Sequence, residues 1–289
     1  DASQAKLDTM GSRVKARTTN QLGRSILVEA ANNGQCRQPE KFADKDKYGI
    51  LAKDMMSTYA DDRTYFPNPK TQFKDYQKAC TALTTMITAI RNTRTTCTEE
   101  NMIDLINHYD LQEKADITAP WWSLVAEKVG TVVQMGIETY ENGYTSDRLR
   151  EEKQRTGRNL DYKFNPGWHD FDDQISLPLQ LNLVAPIWHI IFIDEAQDLN
   201  RARLEMIIRA IKPAGVLFFV GDPKQSIQGF TFADTQAVQT IMTLTNATPF
   251  PLSVCWRCDE KIIRLAKALV PQIDARPEAK PGIVDMILD

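Results

Sequence analysis

The run WHIIFID, residues 188–194, constrains this chain more tightly than any other stretch. Ile190, Ile191, Phe192 and Ile193 cannot alternate between a wet and a dry face. The spacing therefore predicts a short strand buried on both sides, the kind found in parallel sheets. The run stops abruptly at Asp194 and Glu195, with Asp198 close behind. A second apolar run, GVLFFVGD (215–222), ends in Asp222, and LEMIIRAI between them places Leu204, Ile207, Ile208 and Ile211 on one helix face. Strand, helix, strand implies an α/β chain with a parallel sheet. Ligands of such sheets lie at the carboxyl ends of the strands, where both runs place their acids. An aspartate there suits Mg²⁺, which takes few carboxylates and keeps waters. A glutamate beside it can orient or deprotonate a water. Taken alone, an Asp-Glu pair after a strand is equally consistent with a solvated strand end.

The rest of the chain reads differently. Val14 to Thr18 is expected to be a short strand, followed by a helix with Leu22, Ile26 and Leu27 on one face. Residues 47–145 read as helical, with Phe73, Tyr76, Cys80, Leu83, Ile87 and Ile90 recurring at three- and four-residue steps. Thr98 ahead of Glu99 and Glu100 marks one helix start; Pro120 marks another, for a helix ending at Asn142-Gly143. Trp121 and Trp122 are read as core rather than as a base-stacking pair. Residues 146–170 are expected to be a solvated helix and loop. Further on, PLSV (251–254) is a candidate third strand, and DEKIIRLAKALV a helix with Asp259 at its N-cap. Asp172 and Asp173 are read as structural support under the strand at 188–193. His108, His169 and His189 are scattered and read as structural or surface residues.

Composition excludes little. The 289 residues carry a net charge of −3, so no global basic field announces nucleic acid, although a locally basic groove remains compatible. Five cysteines do not read as a disulfide framework, and a reducing, intracellular compartment (cytoplasm, nucleoid or nucleus) is expected. No apolar run approaches a membrane span, and no signal-peptide core is seen at the start. Cys255 and Cys258 have C-x-x-C spacing without a second pair nearby, which leaves metal or redox use as a minority reading.

Five segments, taken together, resemble the superfamily 1 DNA helicases of the UvrD/Rep type. DEAQD (194–198) is similar to their motif II, the Walker B box, and GDPKQSIQGF (221–230) to motif III. LSVCWRC (252–258) resembles motif IV, FDDQISLP (171–178) the segment before motif II, and ARTTNQLGRSIL (16–27) motif Ib. The resemblance covers residues 1–30 and about 170–289. It implies a RecA-like parallel sheet of the P-loop NTPase type with a helical insertion. Residues 1–30 and 166–250 would belong to the first RecA-like domain, 31–165 to the insertion, and 251–289 to the start of the second RecA-like domain. It also implies ATP and Mg²⁺ as cofactors, with single-stranded DNA or a single-strand/duplex junction as partner. By resemblance, Asp194 would coordinate Mg²⁺ and Glu195 would act on the attacking water. Gln197 and Gln225 would sense the γ-phosphate, Asp222 would line the nucleotide site, and Arg257 would serve as an arginine finger. Thr18, Thr19 and Asn20 would touch the DNA backbone, and Phe230 would stack on a base.

This sequence departs from the family pattern in several places. Asn20 stands where a His is usual, Gln228 replaces Tyr, and Thr231-Phe232 replace Arg-Gly, which weakens the DNA contacts more than the nucleotide contacts. No G-x-x-x-x-G-K-[ST] occurs among the 289 residues, so nothing here cradles β- and γ-phosphates. The chain is therefore expected to be a fragment lacking the Walker A segment and motifs V and VI, cut from a 3′→5′ translocase and inactive by itself. The alternative is a non-catalytic module that binds nucleic acid or a protein partner.

Overall fold

A computed structural model describes residues 14–144, 150, 154, 157, 165–225, 232 and 236–285. The chain divides into two compact units, residues 1–240 and 241–289. In the first, α1 is Thr19–Asn32, α2 Lys47–Ser57, α3 Gln72–Thr93, α4 Glu99–His108, α5 Trp122–Asn142 and α6 Asp173–Gln180. Then come β1 (Trp188–Ile193), α7 (Arg201–Ala210) and β2 (Ile211–Phe219), and α8 (Ala237–Thr245) crosses the boundary. The second unit holds β3 (Val254–Cys255), α9 (Glu260–Ala266) and β4 (Asp274–Ala275).

Several helix ends are set by local chemistry. Thr98 caps α4 by accepting from the Asn101 N–H. Helix α5 ends at Gly143 with φ +81°, a conformation glycine adopts without a Cβ penalty. The strand expected at 14–18 does not form. Thr18 and Gln21 instead build a reciprocal capping box at the start of α1, which satisfies two backbone donors and draws the chain into a helix.

Helices α2 to α5 surround one apolar core that includes Leu83, Ile87, Met102, Val125 and both Trp121 and Trp122. The tryptophans are 3% and 4% exposed, and Trp122 donates to Glu99, so both are core residues as expected. Phe73, by contrast, is 73% exposed; it sits in the first turn of α3, beyond the stretch that packs. The 165–170 stretch is also not the solvated loop expected. Trp168 and His169 are fully buried and Asp170 nearly so, because they cap the interior between the helical region and α6.

That interior contains a cluster of charges. Arg91 on α3 donates to both oxygens of Asp170 at 2.9 and 2.7 Å and to Asp173 at 2.8 Å. Lys47 on α2 donates to Asp173 and to the Gly136 carbonyl, each at 2.7 Å, and the Tyr48 hydroxyl donates to Asp173. Two cations thus neutralise two carboxylates, Asp173 fully buried and Asp170 nearly so, the condition under which buried charge is tolerated. Burial pushes the Asp173 carboxyl up, but Lys47 and Arg91 outweigh it and leave it below its usual range. For Asp170 burial wins, and its carboxyl lies above the usual range despite Arg91. Asp173 therefore does anchor structure, but across to α2 and α3 rather than under β1.

Helix α6 contains Pro178, which cannot donate to the Gln174 carbonyl one turn back. Gly23 of α1 packs against that carbonyl so closely that a Cβ would stand 1.7 Å from the oxygen. Such contact requires glycine and fixes α1 on α6.

Strands β1 and β2 pair in parallel, Ile190 with Val216 through Ile193 with Phe219. Helix α7 joins them, and β2 begins at Ile211, so the helix ends one residue sooner than its apolar pattern suggested. The expectation of burial on both faces fails. Phe192 and Phe218 stack with rings 4.6 Å apart yet are 72% and 46% exposed, and Ile190, Val216 and Val220 are exposed with them. A parallel sheet needs a layer on each face, and among the described residues helices cover only one. The described sheets are two-stranded, small and parallel, and do not make up a full RecA-like sheet.

In the second unit, β3 pairs in parallel with β4, a strand the sequence did not announce. Asp259 flanks α9 in an extended conformation at the N-cap but makes no side-chain cap hydrogen bond. No helix among the described residues is long and apolar enough to cross a membrane.

Candidate active site at the carboxyl edge of the sheet

Both strands end at the same edge because their register aligns Ile193 with Phe219. The next residues lock together through the backbone. Val220 N–H donates to the Ile193 carbonyl and Ala196 N–H to the Val220 carbonyl, each at 2.8 Å. This brings Asp194 and Glu195 beside Gly221 and Asp222.

The turn after β1 is sharp. Glu195 has φ +50°, the left-handed region, which costs a side-chain-bearing residue about 1–2 kcal/mol. The surrounding bonds hold it there. Gln197 is 3% exposed, and its amide nitrogen donates to Glu195 Oε2 at 2.6 Å. Its amide oxygen accepts from the Asp222 N–H at 3.1 Å. Asp222 in turn accepts from the Gln225 side chain at 2.9 Å and from the Lys224 N–H at 3.0 Å. One hydrogen-bonded chain therefore runs from Glu195 through Gln197 and Asp222 to Gln225. Gly221 makes it possible: a Cβ there would lie 2.4 Å from the Gln197 amide oxygen and 3.0 Å from the Ala196 nitrogen.

Asp194, Glu195, Asp222 and Gln225 are all exposed, so the edge presents three carboxylates and an amide outward, supported from behind by buried Gln197. No group of three or more metal-ligating side chains occurs among the described residues. An ion that keeps most of its waters and takes its other oxygens from phosphate needs only one or two carboxylates, and Asp194 with its neighbours fits that demand. Asp198 adds a buried oxygen, Oδ1, with no hydrogen-bond partner among the described residues.

The remaining candidates fall elsewhere. Thr18 caps α1, Thr19 is its first residue, and the Asn20 amide donates to the Phe171 carbonyl at 2.7 Å. Phe230, with Gln228 and Thr231, lies outside the described residues. Phe232 is described: it is 7% exposed, packs edge-to-face on Tyr109 at 5.2 Å, and belongs to the helical core rather than to the sheet. Arg257 is exposed in the bend between β3 and α9, within the second unit.

Sequence reasoning missed Asn200. Its side-chain oxygen caps α7 by accepting from the Arg203 N–H, and its amide donates to Asn92 at 2.6 Å. Asn92 donates on to Asp172 at 3.1 Å. The segment leaving the acidic edge is thereby tied to the end of α3. An Asn ahead of a helical pattern is a readable cap signal; its partner 108 residues away is not.

Compared with known proteins, residues 3–246 match the model of the UvrD/REP helicase N-terminal domain. The chain belongs to the UvrD/Rep helicase family. Among curated proteins, 76 residues are 32% identical to the RecBCD enzyme subunit RecB of Mycobacterium tuberculosis, covering 26% of this chain and 7% of that protein. Another 55-residue match, 47% identical, is to RecB of Borreliella burgdorferi, covering 19% of this chain and 5% of that protein. The matched segments thus span less than a tenth of these relatives. The DEAQD and GDPKQ segments meet at one sheet edge, where the apolar strand pattern had placed their acids.

Proposed function

We propose that this chain is the part of an ATP-dependent 3′→5′ DNA helicase that carries the water-activating and phosphate-sensing side chains. The reading rests on the hydrogen-bonded chain from Glu195 through Gln197 and Asp222 to Gln225. Such a chain makes the position of the glutamate depend on the loop bearing Gln225, which is the coupling a motor needs. Asp194 would hold Mg²⁺; when bound, the Mg²⁺–nucleotide supplies the phosphoryl group and neutralises its charge. Glu195 takes the proton of the attacking water, and Gln197 fixes its carboxylate by donating to Oε2. Gln225 would read the phosphate end, and Arg257, by the family resemblance, would stabilise transition-state charge as an arginine finger. Thr18, Thr19 and Asn20 face the single strand and Phe230 stacks on a base. The QSI segment of motif III favours 3′→5′ travel. Residues 1–30 and 166–250 would form the first RecA-like domain around the 31–165 insertion, with 251–289 opening the second.

The 289 residues contain no P-loop, so this reading requires one from outside them. In a polypeptide joining this chain to a P-loop, Glu195→Gln should lower DNA-stimulated ATP hydrolysis by about 10²–10⁴-fold, the usual worth of a positioned general base. Unchanged hydrolysis would remove the assignment. The missing P-loop also favours a second reading, a non-catalytic binding module. That reading gains if the chain alone binds a labelled oligonucleotide while the P-loop-bearing polypeptide turns over no ATP.

A further inference from the structure

The far end of α3 grips α7 at two points. The first is buried: the Asn200 amide donates to Asn92 Oδ1 at 2.6 Å, and the Asn92 amide donates on to Asp172 at 3.1 Å and to the Thr88 carbonyl at 3.0 Å. The second is half-buried: Arg94 Nε donates to Glu205 Oε2 at 3.0 Å, and Arg209, one turn on in α7, donates to Glu205 Oε1 at 2.6 Å. Arg209 also reaches the Asn182 side chain after α6 at 3.2 Å. Helix α7 is therefore held at its N-cap, its middle and its end. Arg94 makes its contact from a strained position. It terminates α3 with φ +59°, the left-handed region in which glycine is the residue of choice. The local backbone favours glycine there, so the arginine is accounted for by its hold on Glu205.

Helix α7 joins the two halves of the acidic edge. Its N-cap, Asn200, follows Glu195 after the short turn 196–199, which is closed by Asp198 N–H to the Glu195 carbonyl at 3.0 Å and Leu199 N–H to the Ala196 carbonyl at 3.3 Å. Its last residue, Ala210, runs directly into β2, which leads to Asp222. Glu195 is itself in the left-handed region, a conformation that persists only where the surroundings over-determine it. On one side it is held by the backbone lock between Ile193 and Val220. On the other it is held through Asn200 and the end of α3.

We propose that Asn92 and Arg94 are positioning residues for Glu195. By clamping α7 they fix the far end of the turn that aims the glutamate, and they tie its alignment to the helical core in which α3 packs. The inference rests on the reading of Glu195 as the group that acts on the attacking water. Both residues act through α7, so they bear on the chemical step and leave nucleotide binding as it is.

Arg94→Gly separates positioning from folding. Glycine suits the left-handed turn, so the melting temperature should stay at the parent value, yet the hold on Glu205 is lost. In the P-loop-bearing polypeptide, kcat for DNA-stimulated ATP hydrolysis should fall about ten- to a hundredfold, the effect of a small misplacement transmitted from a distance, with KM for ATP unchanged. Arg94→Lys, which keeps the cation, should recover most of the rate. Asn200→Ser keeps a good helix cap but is too short to reach Asn92, and should lower kcat in the same way. Hydrogen exchange of the chain alone reads the clamp without turnover. Arg94→Gly and Asn200→Ser should both speed exchange in peptides covering 195–200, through the Asp198 and Leu199 amides, while peptides from the first half of α3 exchange as before. Unchanged exchange at 195–200 overturns the clamp. Faster exchange with unchanged kcat, in a polypeptide that Glu195→Gln inactivates, overturns the positioning role. If Glu195→Gln itself leaves hydrolysis unchanged, the proposed function fails and the exchange result alone judges the clamp.

Discussion

Arg91→Met tests the polar cluster at the heart of the first unit. The substitution keeps most of the aliphatic volume and deletes the guanidinium. Arg91 is 2% exposed and contacts both Asp170 and Asp173. Without it, Lys47 still neutralises Asp173, but Asp170 keeps only the Asp173 N–H at 2.6 Å. A carboxylate left uncompensated out of water costs about 3–5 kcal/mol, a large share of the 5–15 kcal/mol typical of a folded domain. The stacking of Arg91 on Tyr48, 3.9 Å from the ring centre, adds roughly 0.5–2 kcal/mol more. Urea unfolding at neutral pH should show a lower midpoint with an unchanged slope. The deficit should also depend on pH. Burial already raises the Asp170 carboxyl, and losing Arg91 raises it further. A group whose folded pKa is raised contributes stability below its unfolded pKa and loses it as pH rises, so the variant should recover relative to the parent toward acid. Arg91→Met with Asp170→Asn should restore about 1–3 kcal/mol, because the two sites couple directly. A loss under about 1 kcal/mol, or one that does not change with pH, refutes the claim that Arg91 neutralises a buried acid.

Three further perturbations address other contacts. Gly23→Ala forces a methyl into the Gln174 carbonyl and should destabilise by about 1–3 kcal/mol; an unchanged melting temperature would mean that α1 is not seated on α6. His169 is buried, with Nδ1 at 3.0 Å from the Gly167 carbonyl, and burial lowers its pKa. Its contribution should therefore be complete above about pH 6.5, the unfolded value, and fall away as pH drops toward the lower folded value; a His169→Gln chain should lack that segment of the pH–stability curve. Gly221→Ala should push Gln197 off the Asp222 N–H, costing about 1–3 kcal/mol and lowering hydrolysis by the P-loop-bearing polypeptide; full activity would show that the Glu195–Gln197–Asp222 chain is dispensable.

What the sequence made legible was local. Ile190 to Ile193 followed by Asp194 located β1 and its acidic end; Thr98 and Gly143 located helix ends. The T-x-x-Q of Thr18 to Gln21 was also a local signal, a capping box, and it outweighed the β-branched residues that suggested a strand. The misses involve distance along the chain. Arg91 meets Asp170 and Asp173 across 79 and 82 residues, and Lys47 meets Asp173 across 126. No periodicity carries such pairings; they arise only when α2, α3 and α6 pack. The same limit applies to Phe73, which matches the apolar repeat of α3 but lies where no neighbour covers it.

The acidic edge shows why one part of the site was readable and another was not. Asp194, Glu195 and Asp222 are exposed, so nothing in the packing specifies them, and acids after apolar strands invite a functional explanation. Gln197 is buried and fully engaged between Glu195 and Asp222. Its burial follows from its contacts: a side chain that holds the Glu195 carboxylate and the Asp222 N–H, 25 residues along from it, sits between the two. Asn200 extends the same logic outward, linking the segment after Gln197 to Asn92 on α3 and on to Asp172. The exposed residues can engage a ligand because buried amides from two regions of the chain, Gln197 and Asn200 after β1 and Asn92 on α3, hold the edge and the segment that leaves it.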